Sequence, residues 1–298
     1  MALSIEIRND FVYLVEARTT KTSVGLQKTH HYSFPEDWVS DAGIVNPEGF
    51  SSLLLQHLKE ANMRDKKVHF CINNPAVIYR ELNIPKVEDR KVPLLVRTEM
   101  MSALNLSPDY IMDYVYLNDV EHDGNSYYRV LGVAMQNKAI ETVLDVAKQC
   151  KLQVLSIDSA TNSILKVLED SKHVENVNQL IVADVGNGHL RLYLFENGIY
   201  ALSRNNKIAS YKDTSTEEFT SSIVENINKM IQFSYTRKVA TDSKKVLLVG
   251  IDDELEAVQK MVSENLLIDC EILGKPHFVS GLKYENRYVN AIGTLLRK

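Results

Sequence analysis

Three cysteines are the whole thiol complement of this 298-residue chain, and Cys71, Cys150 and Cys270 are scattered, with no CxxC and no close Cys/His pair. A disulfide framework and a structural zinc site are therefore unsupported, and buried free thiols are expected. Basic excess is also missing: 34 Lys+Arg against 39 Asp+Glu give a formal charge of −5, and no Lys/Arg run exceeds two residues. A protein that holds nucleic acid by neutralising phosphates needs a basic face, so no nucleic acid partner is expected. No stretch approaches the ~18 consecutive apolar residues of a spanning helix. The N-terminus alternates apolar and polar residues where a signal peptide would carry a basic stretch and an apolar core. A cytoplasmic chain is expected, touching a membrane only through partners.

What is present suits a packed, lobed protein. At roughly 150 residues per domain the length suggests about two domains, and 45% hydrophobic with 24% charged residues excludes wholesale disorder. Residues 3–17 read as a β-hairpin broken at Arg8-Asn9-Asp10. A helix from Pro47, with Phe50, Leu54, Leu55 and Leu58 at helical spacing, leads to a strand over 67–73. From Pro75 to Cys150 the order is helix (99–106), strand (110–117), turn (122–125), strand (127–134) and helix (138–150), which describes an α+β insert. Met100-Met101 reads as core filler there, and the charges of 86–97 as a solvated face. A strand over 152–158 and a helix capped by Ser159 then resume the first unit.

A second hairpin starts at Leu180, turns at 186–188 and repeats the outline of the first. Thr214-Ser-Thr-Glu217 has capping-box spacing and leads a long helix through Phe219, Ile223, Ile227, Met230 and Ile231. A strand over 245–250, a helix over 253–265 and a terminal helix over 285–296 follow. Two αβ halves that each open with a hairpin can face their turns across a cleft, where glycine-containing turns form nests for phosphate oxygens and a strand-end acid holds magnesium. Asp184-Val-Gly186-Asn187-Gly188 carries both features, and it also reads as an ordinary Asn-Gly hairpin turn.

In order along nearly the whole chain, Ile5-Glu6-Ile7 with 12–17, Leu155-Ser-Ile-Asp158, Val182-Ala-Asp184-Val-Gly-Asn-Gly188, Phe233-Ser-Tyr235, 246–250 and 288–297 resemble the PilM family of type IV pilus assembly, related to the division protein FtsA. The resemblance implies an α/β fold of actin-like (RNase H-like) duplicated lobes with an inserted α+β subdomain. On that frame, lobe 1 is 1–75 plus 151–178, the insert 76–150 and lobe 2 179–298. It implies a scaffold at the inner face of the cytoplasmic membrane that binds the N-terminal cytoplasmic segment of a PilN-like membrane protein beside the insert and couples it to pilus motor ATPases. ATP and Mg²⁺ would occupy the interlobe cleft, with Arg8, Asn9, Asp10, Asp184, Gly186, Asn187, Gly188 and Gly250 as binding residues and Asp184 toward the metal.

The chain departs from that pattern in three places. The first phosphate turn lacks its glycine, with Arg8 in its stead. The adenosine segment keeps one glycine, Gly250, followed by Asp252-Asp253, which also read as the cap and first turn of the next helix. Only a dozen polar residues separate Arg204 from the long helix, so the helical subdomain of lobe 2 is reduced or absent. Nucleotide binding is therefore expected to be weak or lost, with no catalytic residue assigned. Asp158 reads equally as a cleft group and as a helix-preceding acid. His30-His31 reads as surface, lacking a third metal ligand. Two rival classes are an actin-fold small-molecule kinase, which needs an aspartate base and an intact phosphate clamp, and an FtsA-like filament former. The latter wants an amphipathic tail, whereas the chain stops at Arg297-Lys298.

Overall fold

A computed structural model describes residues 1–40, 42–74, 76–171, 173, 177–236 and 243–296. Strand β1 (Ala2–Ile7) pairs antiparallel with β2 (Phe11–Thr19), and β2 with β3 (Val24–Ser33). After the short strands β4 (Val39–Ser40) and β5 (Gly43–Ile44), helix α1 (Pro47–Glu60) starts on Asn46, whose side-chain oxygen accepts from Gly49 N at 3.0 Å. Pro47, with its fixed φ and missing N–H, suits the first helical position. Phe50, Leu54 and Leu58 at i, i+4 and i+8 turn inward, each burial contributing about 1.5–3 kcal/mol, and β6 (Lys67–Ile72) then enters parallel to β1.

The insert follows as β7 (Ile78–Pro85), α2 (Val92–Leu104), β8 (Tyr110–His122) and β9 (Asn125–Gln136), its strands forming an antiparallel sheet in the order β7-β9-β8. Strand β7 is absent from the sequence expectation, because its outward residues Arg80, Glu81 and Asn83 hide the alternation of Leu82 and Ile84. The helix expected over 99–106 begins earlier, at Val92, with Pro93 in its first turn. Val96 and Met100 fill the insert core, as the filler reading of Met100 has it.

Helix α3 (Asn137–Gln149), expected with the insert, packs elsewhere. Its Ala139, Val143, Val146 and Ala147 share one apolar cluster with Phe50, Leu54 and Phe70 of the first lobe. The three-residue and four-residue spacing of those positions makes one stripe, and α1 and the first sheet are what that stripe covers. Strand β10 (Gln153–Ser159) joins β6 in parallel, and Ser159 Oγ accepts from Asn162 N at 3.2 Å at the start of α4 (Ala160–Ser171).

The second lobe repeats the plan with β11 (Gln179–Val185), β12 (His189–Glu196), β13 (Ile199–Lys207), α5 (Thr216–Tyr235), β14 (Lys244–Gly250), α6 (Leu255–Leu266) and β15 (Asp269–Ile272). The cap of α5 is Ser215, which accepts from Glu218 N at 3.2 Å, one residue beyond the expected Thr214. No helix lies in the link between β13 and α5. Strand β16 (Val279–Gly281) returns to β3 in the first sheet before a 3-10 turn (Asn286–Tyr288) leads into α7 (Val289–Leu295). The sheets read β10-β6-β1-β2-β3-β16 and β15-β14-β11-β12-β13, five strands in the same order in each lobe with β16 added at the edge of the first.

Helices α4 and α7 cross between the lobes at close range. A Cβ on Gly293 would lie 2.3 Å from the Ser163 carbonyl oxygen, so only glycine admits this approach, and Ser163 Oγ meets Thr294 Oγ1 at 2.7 Å. Cys71, Cys150 and Cys270 are buried and free. Among the described residues no helix is long and apolar enough to cross a membrane. Pro75, an expected boundary, and the terminal Arg297-Lys298 lie outside the described residues.

Candidate functional site in the interlobe cleft

The duplicated hairpins place the ends of β1 and β11 opposite one another. Asn187 Nδ2 donates to Asp10 Oδ2 at 3.3 Å, so the two expected turns meet directly, and Ser210 Oγ donates to Asn187 Oδ1 at 2.9 Å. Behind the turns lies a buried charge cluster. Arg8 donates from Nε to Glu6 Oε1 at 2.7 Å and from Nη1 to Asp184 Oδ1 at 3.1 Å. All three side chains are at most 2% exposed. Asn290 of α7 donates to both acids, to Glu6 Oε1 at 3.1 Å and to Asp184 Oδ2 at 2.9 Å, and Asn73 adds a bond to Glu6 Oε1 at 3.2 Å.

The protonation balance follows from these contacts. Burial resists ionisation of Asp184, but the Arg8 guanidinium and the Asn290 amide outweigh it and hold the carboxyl below the usual carboxylate range. Glu6 lies deeper in the conflict: burial pushes its carboxyl up despite Arg8, and the neighbouring Asp184 pushes the same way. Burial also opposes the Arg8 charge, yet Asp184 and Glu6 together raise its pKa well above the ordinary arginine value. The guanidinium is thus a permanent internal cation standing between the two strand-end acids.

The other expected site residues fall around this cluster. Asn9, Asp10, Asn187 and Gly188 border an open cleft of about 520 Å³, whereas the space beside Arg8, Asn73, Asp184 and Arg191 is only about 30 Å³. Gly186 packs against His189, whose Nε2 would be 2.6 Å from an added Cβ. Burial, then Arg8, holds that imidazole below its usual pKa. Gly250 pairs with Val185 at the edge of the second turn, with φ +112° and a virtual Cβ only 2.0 Å from the Val185 carbonyl oxygen, so its lack of a side chain lets β14 close on β11.

Two expectations outside the cluster change, and one open between two readings is decided. Asp252 and Asp253 do not cap α6. Asp252 accepts from the backbone N–H groups of Asn286 at 2.7 Å and Arg287 at 3.1 Å, and Arg287 reaches both acids, which pins the approach to α7. Asp158 is engaged by Lys166 Nζ at 2.7 Å, Asn162 Nδ2 at 2.8 Å and Ser159 N at 2.9 Å, the helix-preceding role. His30-His31 is partly buried: His31 Nδ1 lies 3.0 Å from Tyr288 Oη, and His30 contacts His57.

Sequence reasoning missed Asn290 and Arg191. Arg191 is buried and crosses the lobes, bonding Asn205 through Nε and the Asn74 carbonyl through Nη2 at 3.2 Å. A detectable signal existed for Asn290, since Asn290 and Thr294 stand one turn apart amid Val289, Ala291, Ile292 and Leu295.

Two duplicated lobes with facing hairpin turns, joined by crossing helices, define an α/β protein of the actin-like class. Solved structures agree at the level of fold. A PilM–PilN type IV pilus biogenesis complex matches with a TM-score of 0.82 and 16% identity over 99% of this chain and 97% of that one. The ethanolamine utilization protein EutJ of Carboxydothermus hydrogenoformans matches at 0.56, with 11% identity over 99% and 88% of the two chains. A Bacteroides thetaiotaomicron protein with an actin-like ATPase fold and unknown function matches at 0.52, with 13% identity over 91% and 90%. No curated protein sequence matches significantly. The family profile for type IV pilus assembly protein PilM matches residues 4–215, and the chain belongs to that family.

Proposed function

We propose that this protein is a non-enzymatic scaffold of a type IV pilus or related secretion or competence machine, working at the cytoplasmic face of the inner membrane. In this reading it holds the N-terminal cytoplasmic segment of a PilN-like membrane protein and links it to the motor ATPases, with nucleotide binding weak or lost. The observation that carries the nucleotide half is Arg8. In a magnesium–triphosphate site the two strand-end acids would face the metal, and glycine would let the first turn approach phosphate. Here the guanidinium takes up the acids, and the room directly beside them, about 30 Å³, is little more than a water's worth, although the outer cleft bordered by Asn9, Asp10, Asn187 and Gly188 is about 520 Å³. Engagement of both acids by Arg8 supports the reading that the metal position of a Mg-ATP site is lost.

The partner half rests on family membership and on the likeness to a structure described as a PilM–PilN complex. A cleft of about 430 Å³ runs beside the insert, between β7 and β13, with Tyr79, Arg80, Leu131, Tyr200 and Leu202 on its walls. Strand β13 is an edge of its sheet, so an extended peptide can add backbone hydrogen bonds there while the aromatic and apolar walls take its side chains.

Calorimetric titration tests both halves. Mg-ATP is expected to give no saturable heat, while a PilN-type N-terminal peptide binds without nucleotide, and the exposed substitution Arg80→Glu weakens that binding at least about fivefold, on the order of 1 kcal/mol. Tight Mg-ATP binding overturns the nucleotide half. Failure of such peptides to bind in titration and pull-down overturns the partner half.

A further inference from the structure

On the outer face of the first lobe, β3 and α1 bring three metal-ligand atoms together. His30 Nε2 lies 3.0 Å from His57 Nδ1, and Glu60 Oε2, one turn further along α1, lies 3.0 Å from the same nitrogen. These three atoms all fall within 4.8 Å of one another. A neutral ring nitrogen carries either one hydrogen or one lone pair. As a donor, His57 Nδ1 meets two neighbours with a single hydrogen. As an acceptor it takes a hydrogen from His30 but then turns its lone pair toward the carboxylate. Neither tautomer makes both contacts full hydrogen bonds. A divalent cation satisfies all three lone pairs at once, and ligand–metal bonds of about 2.0–2.1 Å in a tetrahedron give ligand separations of about 3.3 Å, against 3.0 Å for the two contacts of His57 Nδ1 and no more than 4.8 Å for the third pair.

The neighbours hold the ligands in place. Tyr32 stacks on the His57 ring with centroids 3.9 Å apart and planes 12° from parallel. Gln56 Nε2 donates to Glu60 Oε1 at 2.8 Å, leaving Oε2 toward His57. Supporting contacts of this kind orient metal ligands. The Glu60 side chain is 49% exposed, so a water can complete the coordination.

We propose that His30, His57 and Glu60 bind one divalent transition-metal ion, zinc by the character of the donor set, and so clasp α1 to β3. The site is independent of the interlobe cleft and of the scaffold role.

The test is titration of the chelator-stripped full chain with zinc chloride by calorimetry, paired with thermal melts. One ion per chain is expected, in the micromolar range or tighter, with a raised Tm. Glu60→Gln, on the exposed helix surface, keeps the fold and weakens binding about tenfold or more; His30→Ala and His57→Ala abolish it. His122→Ala, on the insert, leaves it unchanged. Absence of saturable zinc binding, wild-type affinity in Glu60→Gln, or retention in the His30→Ala/His57→Ala double variant overturns the site.

Discussion

Arg8, in the turn after β1, and Asp184, at the end of β11, form a 3.1 Å ion pair across 176 residues of chain. It joins the two lobes at the point where their hairpins meet, and Glu6 shares the guanidinium from the other side at 2.7 Å. Removing one partner of a buried pair leaves the other charge without compensation. Arg8→Ala therefore strands two acids together and is expected to cost about 3–5 kcal/mol. Millimolar magnesium is expected to restore part of the loss in the variant and none in the wild type, because a divalent cation can stand where the guanidinium stood. Urea denaturation with and without magnesium chloride checks this, and a loss below about 1 kcal/mol contradicts it.

Asn290 bonds both acids through one amide group. Asn290→Leu keeps the branched outline and the number of heavy atoms but removes two hydrogen bonds to charged groups, for an expected loss of about 2–4 kcal/mol. Asn290→Asp adds a third buried carboxylate and is expected to be the worse of the two. Chemical denaturation ranks them, and the reverse order refutes the role assigned to the amide.

Gly250→Ala tests the seam between β11 and β14. With φ at +112° and the Val185 carbonyl oxygen 2.0 Å from the new Cβ, the backbone must shift or the strands must part. Strain at such a φ adds about 1–3 kcal/mol and overpacking a similar amount. A melt within a degree or two of wild type excludes this account.

Acid is expected to loosen the fold. Burial, aided by a neighbouring cation, holds His173 and His189 below the ordinary histidine value. Their contribution is complete above about pH 6.5 and declines as pH falls, because the unfolded chain then takes up protons the folded chain refuses. Asp184, also held low, adds stability above about pH 3.9 that is lost as pH falls through its folded value. Glu6, pushed up mainly by burial, runs the other way: its contribution is present in acid and lost as pH rises through its folded value. The ordinary imidazole value lies inside the window from pH 7.5 to 5.5 and the ordinary carboxyl value below it, so the imidazoles are expected to set the sign there. Urea midpoints are expected to fall from pH 7.5 to 5.5, with a shallower slope in His189→Gln; a flat or rising profile sinks the assignment.

Local pattern alone carried much of this protein. The two hairpins, α1, α5 and the terminal helix were legible because their apolar residues keep a period of two or near four, and the meeting of the turns near Arg8 and Asn187 follows from the repeat of hairpin and helix. Tertiary structure decided what those patterns pack against. Strand β7 carries too many polar outward residues to declare itself, and the stripe of α3 says that the helix is buried without saying that α1 covers it. Asp252 and Asp253 have the composition of a helix cap, yet they answer to Arg287, some 34 residues later. The cleft shows the same division. Sequence showed a missing glycine and an arginine in its place, but only the approach of the lobes could put that guanidinium between Glu6 and Asp184 and beside Asn290. Ion pairing and burial depend on distance through space, which periodicity along a chain does not encode.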